Sequence, residues 1–212
     1  MELDRTRAYS YAKGCAVIAA FLAVNFFVRL PLRQFLNSAV GGIPYWLEHM
    51  TVMILADLLL AVGLGFWLLG WRDMYLGRPT SSRAWYLGLV GAAAAVVLIG
   101  GYLAATGQLH FFGKVDPLVA LGNLFSNFYE EFIFRVVLVN LLRKYLASKW
   151  LAILVSATIF SLGHLSYPIP LVFIVFAIGV FLAWLVTKYQ SIYPAWISHM
   201  AADLVADALF QM

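Results

Sequence analysis

Seven apolar stretches, each about as long as a membrane-spanning helix, occupy most of this 212-residue sequence. A helix that crosses the hydrocarbon core of a bilayer needs about 20 consecutive, mostly apolar residues. The sequence therefore predicts an all-α fold, a polytopic helical transmembrane bundle that forms one integral-membrane domain over residues 1–212. The seven predicted spans cover roughly residues 12–30, 50–70, 85–105, 117–142, 150–167, 169–187 and 192–210.

The composition excludes a soluble globular protein. Hydrophobic residues make up 64% of the sequence and charged residues 11%, and the mean hydropathy is +0.89. No soluble domain of this size buries that much apolar surface. We therefore expect a multi-pass protein of the cell membrane, surrounded by the lipid bilayer. Cys15 is the only cysteine, so neither an intrachain disulfide nor a cysteine-based metal site can form.

Basic residues divide unequally between the two sets of predicted loops. Ten lie on one side of the membrane, namely Arg5, Arg7, Lys13, Arg72, Arg78, Arg83, Arg143, Lys144, Lys149 and Lys188. Only three, Arg29, Arg33 and Lys114, lie on the other. Because cytoplasmic loops carry an excess of lysine and arginine, the N-terminus is predicted to be cytoplasmic and the C-terminus outside. No basic patch is interleaved with base-stacking positions, so no nucleic-acid partner is predicted.

The fourth predicted span carries charges that a lipid-facing helix would not tolerate. Its stretch NFYEEFIFR contains Glu130, Glu131 and Arg135. A charged side chain at the bilayer centre costs about 2.5–3.5 kcal/mol on insertion scales. Asn123, Asn127 and Glu130 are spaced four and three residues apart, so they form one polar stripe on an α-helix. This face is predicted to point into the bundle.

The two adjacent glutamates are predicted to have different roles. Glu131 and Arg135 are four residues apart and can form an ion pair, whereas Glu130 is turned about 100° away from Glu131. The alternative for all three is a buried charge cluster that only fixes helix packing, and we favour it for Glu131 and Arg135. For Glu130, which lies on a different face of the helix, we favour a functional role.

Two later spans carry histidines with a companion at helical spacing. FSLGH places Phe160 four residues before His164, and HMAAD places His199 four residues before Asp203. A single intramembrane histidine is more often a packing residue, but two such pairs weaken that interpretation. Glu130, His164 and His199 follow one another at intervals of 34 and 35 residues, which allows them to converge in a bundle.

These three motifs, in this order on successive hydrophobic helices, resemble the CPBP family of intramembrane proteases. EEFIFR fits E-E-x-x-x-R, FSLGH fits F-x-x-x-H, and HMAAD fits H-x-x-x-(N/D). The family, also called Abi, includes the CAAX prenyl endopeptidases and bacteriocin-linked proteins. The resemblance covers about residues 117–210, the expected catalytic core, and leaves residues 12–105 as accessory helices. Asp203 stands where the prenyl endopeptidases tend to have asparagine, and an ionised aspartate is a poor oxyanion donor.

The resemblance implies a glutamate-type intramembrane endopeptidase that hydrolyses a peptide bond in a membrane-associated peptide or protein. Glu130 would activate water with His164, while His199 and Asp203 would position the substrate or the oxyanion. Glu131 and Arg135 would brace the helix, and the remaining supporting residues would be Phe160 and Asn127. Candidate substrates are a prenylated CAAX terminus, a bacteriocin-like precursor and a C-terminal sorting signal. The short chain and small loops indicate a prokaryotic protein.

A metal site is the open question about cofactors. One glutamate and two histidines match the donor types of a catalytic zinc site, so the candidate ligands are Glu130, His164 and His199. The helical H-E-x-x-H arrangement is absent from the sequence. A zinc mechanism and a metal-free mechanism would use the same three side chains. We favour the metal-free mechanism and expect no cofactor.

Two other functional classes fit the same residues. A proton- or cation-coupled transporter could use an intramembrane pathway of ionisable groups, comprising Asp57, Glu130, Glu131, His164, His199, Asp203 and Asp207. The sequence lacks the matched pairs of broken helices that many transporter repeats show. The third class is a non-catalytic bacteriocin-immunity or partner-binding protein, and the complete motif set argues against it.

The depth of the motif residues in the membrane leads to a prediction about where they meet. Pro194 suits the first turn of a helix and can follow a re-entrant or extended KYQSIY stretch. We therefore expect residues 188–193 to dip below the membrane surface. We also expect Glu130, His164 and His199 to line one polar cavity, within hydrogen-bonding or one-water reach of each other.

Overall fold

The structure is a computed structural model that describes residues 2–24, 69–110, 114–146 and 148–210, together with residues 27, 31, 34, 35 and 38. All regular structure in these ranges is helical, which confirms the all-α prediction for the described residues. The elements in chain order are α1 (Glu2–Val24), a 3₁₀ turn (Trp71–Met74), α2 (Arg83–Ala105), α3 (Pro117–Glu130), a π-helical segment (Glu131–Leu138), α4 (Val139–Leu146), α5 (Lys149–Leu162), α6 (Ile169–Tyr189) and α7 (Tyr193–Phe210).

Helices α2 and α6 are each long and apolar enough to cross a membrane, and α5 is a shorter apolar helix. The predicted spans 85–105, 169–187 and 192–210 agree with α2, α6 and α7 to within two residues at each end. The predicted span 50–70, apart from its last two residues, lies outside the described residues. A total of seven spans and a cytoplasmic N-terminus stay predictions.

Helix α1 begins ten residues before its predicted start at residue 12, because the polar N-terminal residues continue the helix. It packs against α4. The hydroxyl of Ser10 donates a hydrogen bond to the backbone carbonyl of Tyr145 at 2.5 Å. A Cβ atom added to Gly14 would lie 2.7 Å from a side-chain carbon of Leu146, so the glycine permits this close approach.

The predicted span 117–142 is a continuous helix with a change of winding at its centre. Asp116 caps α3 by accepting a hydrogen bond from the backbone N–H of Leu118 at 2.8 Å. The chain then passes into the π-helical segment Glu131–Leu138 and on through α4, four residues beyond the predicted end. The prediction of an uninterrupted α-helix is wrong in this segment. All eight π-helical residues are buried at the centre of the core, and π-helical turns are frequent at functional sites.

Helix α5 ends at Leu162, five residues before the predicted end of its span, so the prediction that His164 lies within the helix is wrong. Ser148 caps its first turn, accepting a hydrogen bond from the backbone N–H of Leu151 at 3.3 Å. Backbone bonds from Gly163 to Phe160 and from His164 to Ser161 tighten the last turn. Pro168 follows, and a proline disfavours helical geometry in the residue before it.

The link between α6 and α7 contains only three residues, 190–192, so the expected extended KYQSIY stretch is wrong. Gln190 takes the left-handed conformation with φ 51°. Ser191 donates a hydrogen bond to the carbonyl of Gly77 at 2.8 Å, and the backbone N–H of Ile192 donates to the carbonyl of Tyr75 at 3.0 Å. The loop that follows the 3₁₀ turn therefore covers this link. The predicted dip below the membrane surface stays a prediction.

Helix α2 packs closely against the start of α7. A Cβ atom added to Gly88 would lie 2.7 Å from the carbonyl oxygen of Pro194. Only a glycine allows the two backbones to come so near at this point. Through this contact the accessory helix α2 supports the helix that carries His199.

Candidate functional site

A cavity of about 480 Å³ brings together the side chains that the three motifs single out. Its lining includes residues from α3, from α5 and the turn after it, and from α7, namely Asn127, Glu130, Phe160, His164, His199 and Asp203. Apolar side chains of α2 and α6 also line the cavity, namely Ile99, Val175, Ile178 and Leu182. Glu131 and Arg135 do not line the cavity but are fully buried behind it. The shared cavity that the sequence predicts for Glu130, His164 and His199 is therefore present.

Glu130 is the last residue of α3 and is half-buried at the cavity wall. Its charge acts on His199, Asp203 and Arg135, so it lies within electrostatic range of all three. A carboxylate in this position can accept a proton from a molecule bound in the cavity. Hydrogen-bonding or one-water reach between Glu130 and the two histidines stays a prediction.

His164 lies in the turn just after α5, where its ring nitrogen Nδ1 is 3.0 Å from the backbone carbonyl oxygen of Phe160. A carbonyl oxygen can only accept, so Nδ1 carries the proton in this contact. In the neutral ring, Nε2 is then the nitrogen that can accept a proton. The ring packs between Phe160, with centroids 4.7 Å apart, and Tyr167, at 5.5 Å. The backbone and two aromatic rings thus fix the imidazole.

His199 lies between two carboxylates. Its Nδ1 is 3.0 Å from Oε1 of Glu131, and its Nε2 is 3.6 Å from Oδ2 of Asp203. The approach of Asp203 follows from the spacing of four residues on α7. The contact with Glu131 was missed by the sequence analysis, which assigned Glu131 only to Arg135. No sequence spacing reveals it, because the two residues are on helices that meet only in the folded chain.

Arg135 is fully buried, and its Nε is 3.5 Å from Oε2 of Glu131, so the predicted ion pair is present. The guanidinium carbon also lies 4.0 Å from the centroid of the Phe160 ring, a cation–π contact that the sequence analysis missed. Within the described residues, none of the three guanidinium nitrogens makes a hydrogen bond. Phe160 therefore connects the buried ion pair to His164, which packs against the same ring.

A second polar contact extends the lining of the cavity. The amide Nδ2 of Asn123 donates a hydrogen bond to Oδ2 of Asp207 at 2.7 Å, and both residues line the cavity. The sequence places Asn123 in the polar stripe and Asp207 among the ionisable groups, but no spacing pairs them. Their contact joins α3 to α7 one turn away from Asn127 and Asp203, whose side chains also interact between the two helices.

The side chains as placed do not form a zinc site. Across the described ranges, no group of three or more histidine, cysteine, aspartate or glutamate side chains is arranged so that it could hold a metal ion. One nitrogen of His164 is bonded to a backbone carbonyl, and one nitrogen of His199 to Glu131. The absence of a cofactor stays a prediction.

The comparison with protein families matches residues 114–205 to the family described as type II CAAX prenyl endopeptidase Rce1-like. Over these residues the chain is similar to the Rce1-like family. The predicted resemblance to the CPBP family is confirmed, since the match contains all three motifs. No curated protein and no solved structure matched the chain. The Rce1-like region includes α3 to α6 and most of α7, while α2 contributes to the cavity from outside it.

Proposed function

We propose that this protein is an intramembrane endopeptidase that hydrolyses a peptide bond in a membrane-associated substrate. The observation that carries the proposal is the shared cavity, in which Glu130, His164, His199 and Asp203 come from three separate motifs. The Rce1-like match supports a protease. The substrate is a peptide or protein that reaches the cavity from the bilayer of a cell membrane, and the chain is a multi-pass membrane protein.

The chemistry begins with a water molecule activated by Glu130. The carboxylate takes a proton from the water as the water oxygen bonds to the carbonyl carbon of the peptide. His164 holds the same water through Nε2, because its Nδ1 proton is already donated to Phe160. The proton on Glu130 then passes to the leaving nitrogen as the carbon–nitrogen bond breaks. The peptide bond is thus hydrolysed directly by water, without a covalent enzyme intermediate.

His199 is the residue that positions the substrate. Glu131 accepts a hydrogen bond from Nδ1, which fixes the orientation of the ring in the cavity wall. Asp203 lies beside Nε2 and holds the other edge of the ring. The imidazole, held at both nitrogens, thereby positions the peptide beside Glu130. Glu131, Arg135 and Phe160 act behind the cavity, as the residues that keep His199 and His164 in place.

The apolar part of the cavity lining is suited to an apolar segment of the substrate. Apolar side chains from α2 and α6, among them Ile99, Ile178 and Leu182, line the same cavity as the proposed catalytic residues. Such a wall suits the aliphatic residues or the lipid of a prenylated CAAX terminus, and equally the apolar part of a C-terminal sorting signal. A bacteriocin-like precursor is the third substrate candidate.

A comparison of membrane proteomes tests the proposal and finds the substrate. Cells that express the wild-type protein are compared with cells that express Glu130→Ala, and the C-terminal and internal peptides of membrane proteins are quantified. We expect at least one protein to be trimmed only in the wild-type cells. Identical cleavage patterns in the two strains would overturn the proposal and favour a coupled transporter or an immunity-type protein. Proton or cation flux in vesicles that contain the purified protein would then separate these two classes.

A further inference from the structure

We infer that the side-chain amide of Asn127 donates a hydrogen bond to the oxyanion that forms on the scissile peptide. The inference rests on the proposed function and adds one catalytic residue to it. Asn127 lies on α3 one turn before Glu130 and lines the same cavity. Residues three apart on a helix share a face, so the amide and the proposed base approach a bound peptide from the same side.

The burial of Asn127 points to a bound partner. The residue is only 3% exposed. Its Oδ1 is reached by the hydroxyl of Ser126 at 3.5 Å, whereas its Nδ2 makes no hydrogen bond within the part of the chain described. A buried amide donor without a partner is rare in folded proteins, because the group loses its bonds to water without replacement. A ligand oxygen in the cavity would satisfy it.

Three other donor side chains that line the cavity already have partners. Asn123 donates its Nδ2 proton to Asp207, and His164 donates its Nδ1 proton to the carbonyl of Phe160. His199 has Glu131 at one nitrogen and Asp203 near the other. An ionised Asp203 can only accept hydrogen bonds. The amide of Asn127 interacts with Asp203 between α3 and α7. An amide nitrogen carries two N–H groups, so one of them remains for an oxyanion that an ionised Asp203 cannot stabilise.

The role of Asn127 requires no proton transfer to or from its side chain. As the water oxygen bonds to the carbonyl carbon, an electron pair moves onto the carbonyl oxygen, and Nδ2–H of Asn127 donates to it. When the carbon–nitrogen bond breaks, the carbonyl reforms and this hydrogen bond weakens. A donor fixed in a buried wall needs no reorganisation in the transition state, so it lowers the barrier for chemistry more than it strengthens substrate binding.

The test uses purified full-length protein in detergent and a peptide from the substrate that the membrane proteomes identify. Asn127→Ala removes the donor, and Asn127→Asp removes it while preserving the shape. We expect kcat to fall by about 10²–10³ in both variants, the range for loss of one oxyanion donor, with KM little changed. The control is Asn140→Ala, which removes another buried amide that donates to the carbonyl of Asp73, away from the cavity. It should lower the melting temperature and leave kcat unchanged.

A swap variant separates an oxyanion donor from a packing residue. Asn127→Asp combined with Asp203→Asn returns one amide to the same pair, so we expect it to regain part of the kcat lost in Asn127→Asp. A kcat within a few-fold of wild type in Asn127→Ala, while Glu130→Gln is inactive, would overturn the inference alone. If Asn127→Ala does not fold, a folded swap variant with no regain of kcat would overturn it equally. Full activity of Glu130→Gln would overturn the proposed function.

Discussion

The carboxylate of Glu131 lies 3.0 Å from Nδ1 of His199, so two of the three motifs meet in a single contact between residues 68 positions apart. The same carboxylate forms the ion pair with Arg135 through its other oxygen. Glu131 is fully buried and His199 is nearly so. The second glutamate of the EE pair therefore holds the histidine of α7 as well as the arginine of its own helix.

Glu131→Gln is predicted to destabilise the protein. The variant leaves Arg135 buried without its carboxylate, and breaking a buried pair by removal of one partner costs about 3–5 kcal/mol. A thermal melt of the purified protein in detergent measures the effect. The double variant Glu131→Gln/Arg135→Gln removes both charges and should recover part of the lost stability. A Glu131→Gln variant that melts at the wild-type temperature would contradict the assigned role of this pair.

His164→Asn and His164→Gln are predicted to fail in catalysis for the same reason but to differ in stability. The amide nitrogen of asparagine can replace Nδ1 as the donor to the carbonyl of Phe160. The longer glutamine side chain places its amide nitrogen beyond this carbonyl. Neither side chain replaces Nε2 as a proton acceptor, so cleavage should fall by about 10²-fold or more in both variants. The melting temperature should stay near wild type in His164→Asn and fall in His164→Gln. Wild-type cleavage by His164→Asn would exclude His164 from water activation.

Active protein is predicted to contain no stoichiometric zinc. The described side chains do not form a three-ligand group, so elemental analysis should find far less than one zinc per chain. Incubation with a chelator should leave the cleavage rate unchanged. One zinc per chain that is lost in His164→Ala and in His199→Ala would reverse this prediction and assign both histidines to a metal.

Gly88→Ala is predicted to loosen the contact between α2 and α7. The added Cβ would lie 2.7 Å from the carbonyl oxygen of Pro194, a backbone atom that cannot move aside alone. Overpacking of this kind costs about 1–3 kcal/mol. Gly101→Ala is a matched control in the same helix, since a Cβ there meets nothing within 4 Å. We expect a lower melting temperature for Gly88→Ala only, and equal melting temperatures would contradict the packing of α2 on α7.

The sequence predicts the long apolar helices well, because their bounds follow from the lengths of the apolar runs. The bounds of α2, α6 and α7 agree with the predicted spans. The predicted end of α5 is wrong, because apolar residues such as Leu165 continue past the point where the helix stops. Gly163 and the approach to Pro168 end it there. Hydropathy alone does not distinguish an apolar turn from an apolar helix.

The motif residues are predictable, but their contacts are only partly so. Spacing along one helix correctly indicates the pairs Glu131–Arg135 and His199–Asp203. The contact of Glu131 with His199 and the stacking of Arg135 on Phe160 join different helices, so they depend on how the bundle packs. The π-helical segment is also not predictable from the sequence, because α- and π-helical turns differ in their backbone hydrogen bonds and not in a simple side-chain pattern.

The central claim is that Glu130 activates water in a single hydrolytic site, and cleavage by purified Glu130→Gln tests it most directly. Glutamine has nearly the same shape as glutamate but cannot accept the proton of the water. The account predicts that Glu130→Gln melts like the wild-type protein and shows no cleavage of the identified substrate peptide above the uncatalysed rate. Cleavage by folded Glu130→Gln at the wild-type rate would contradict the account.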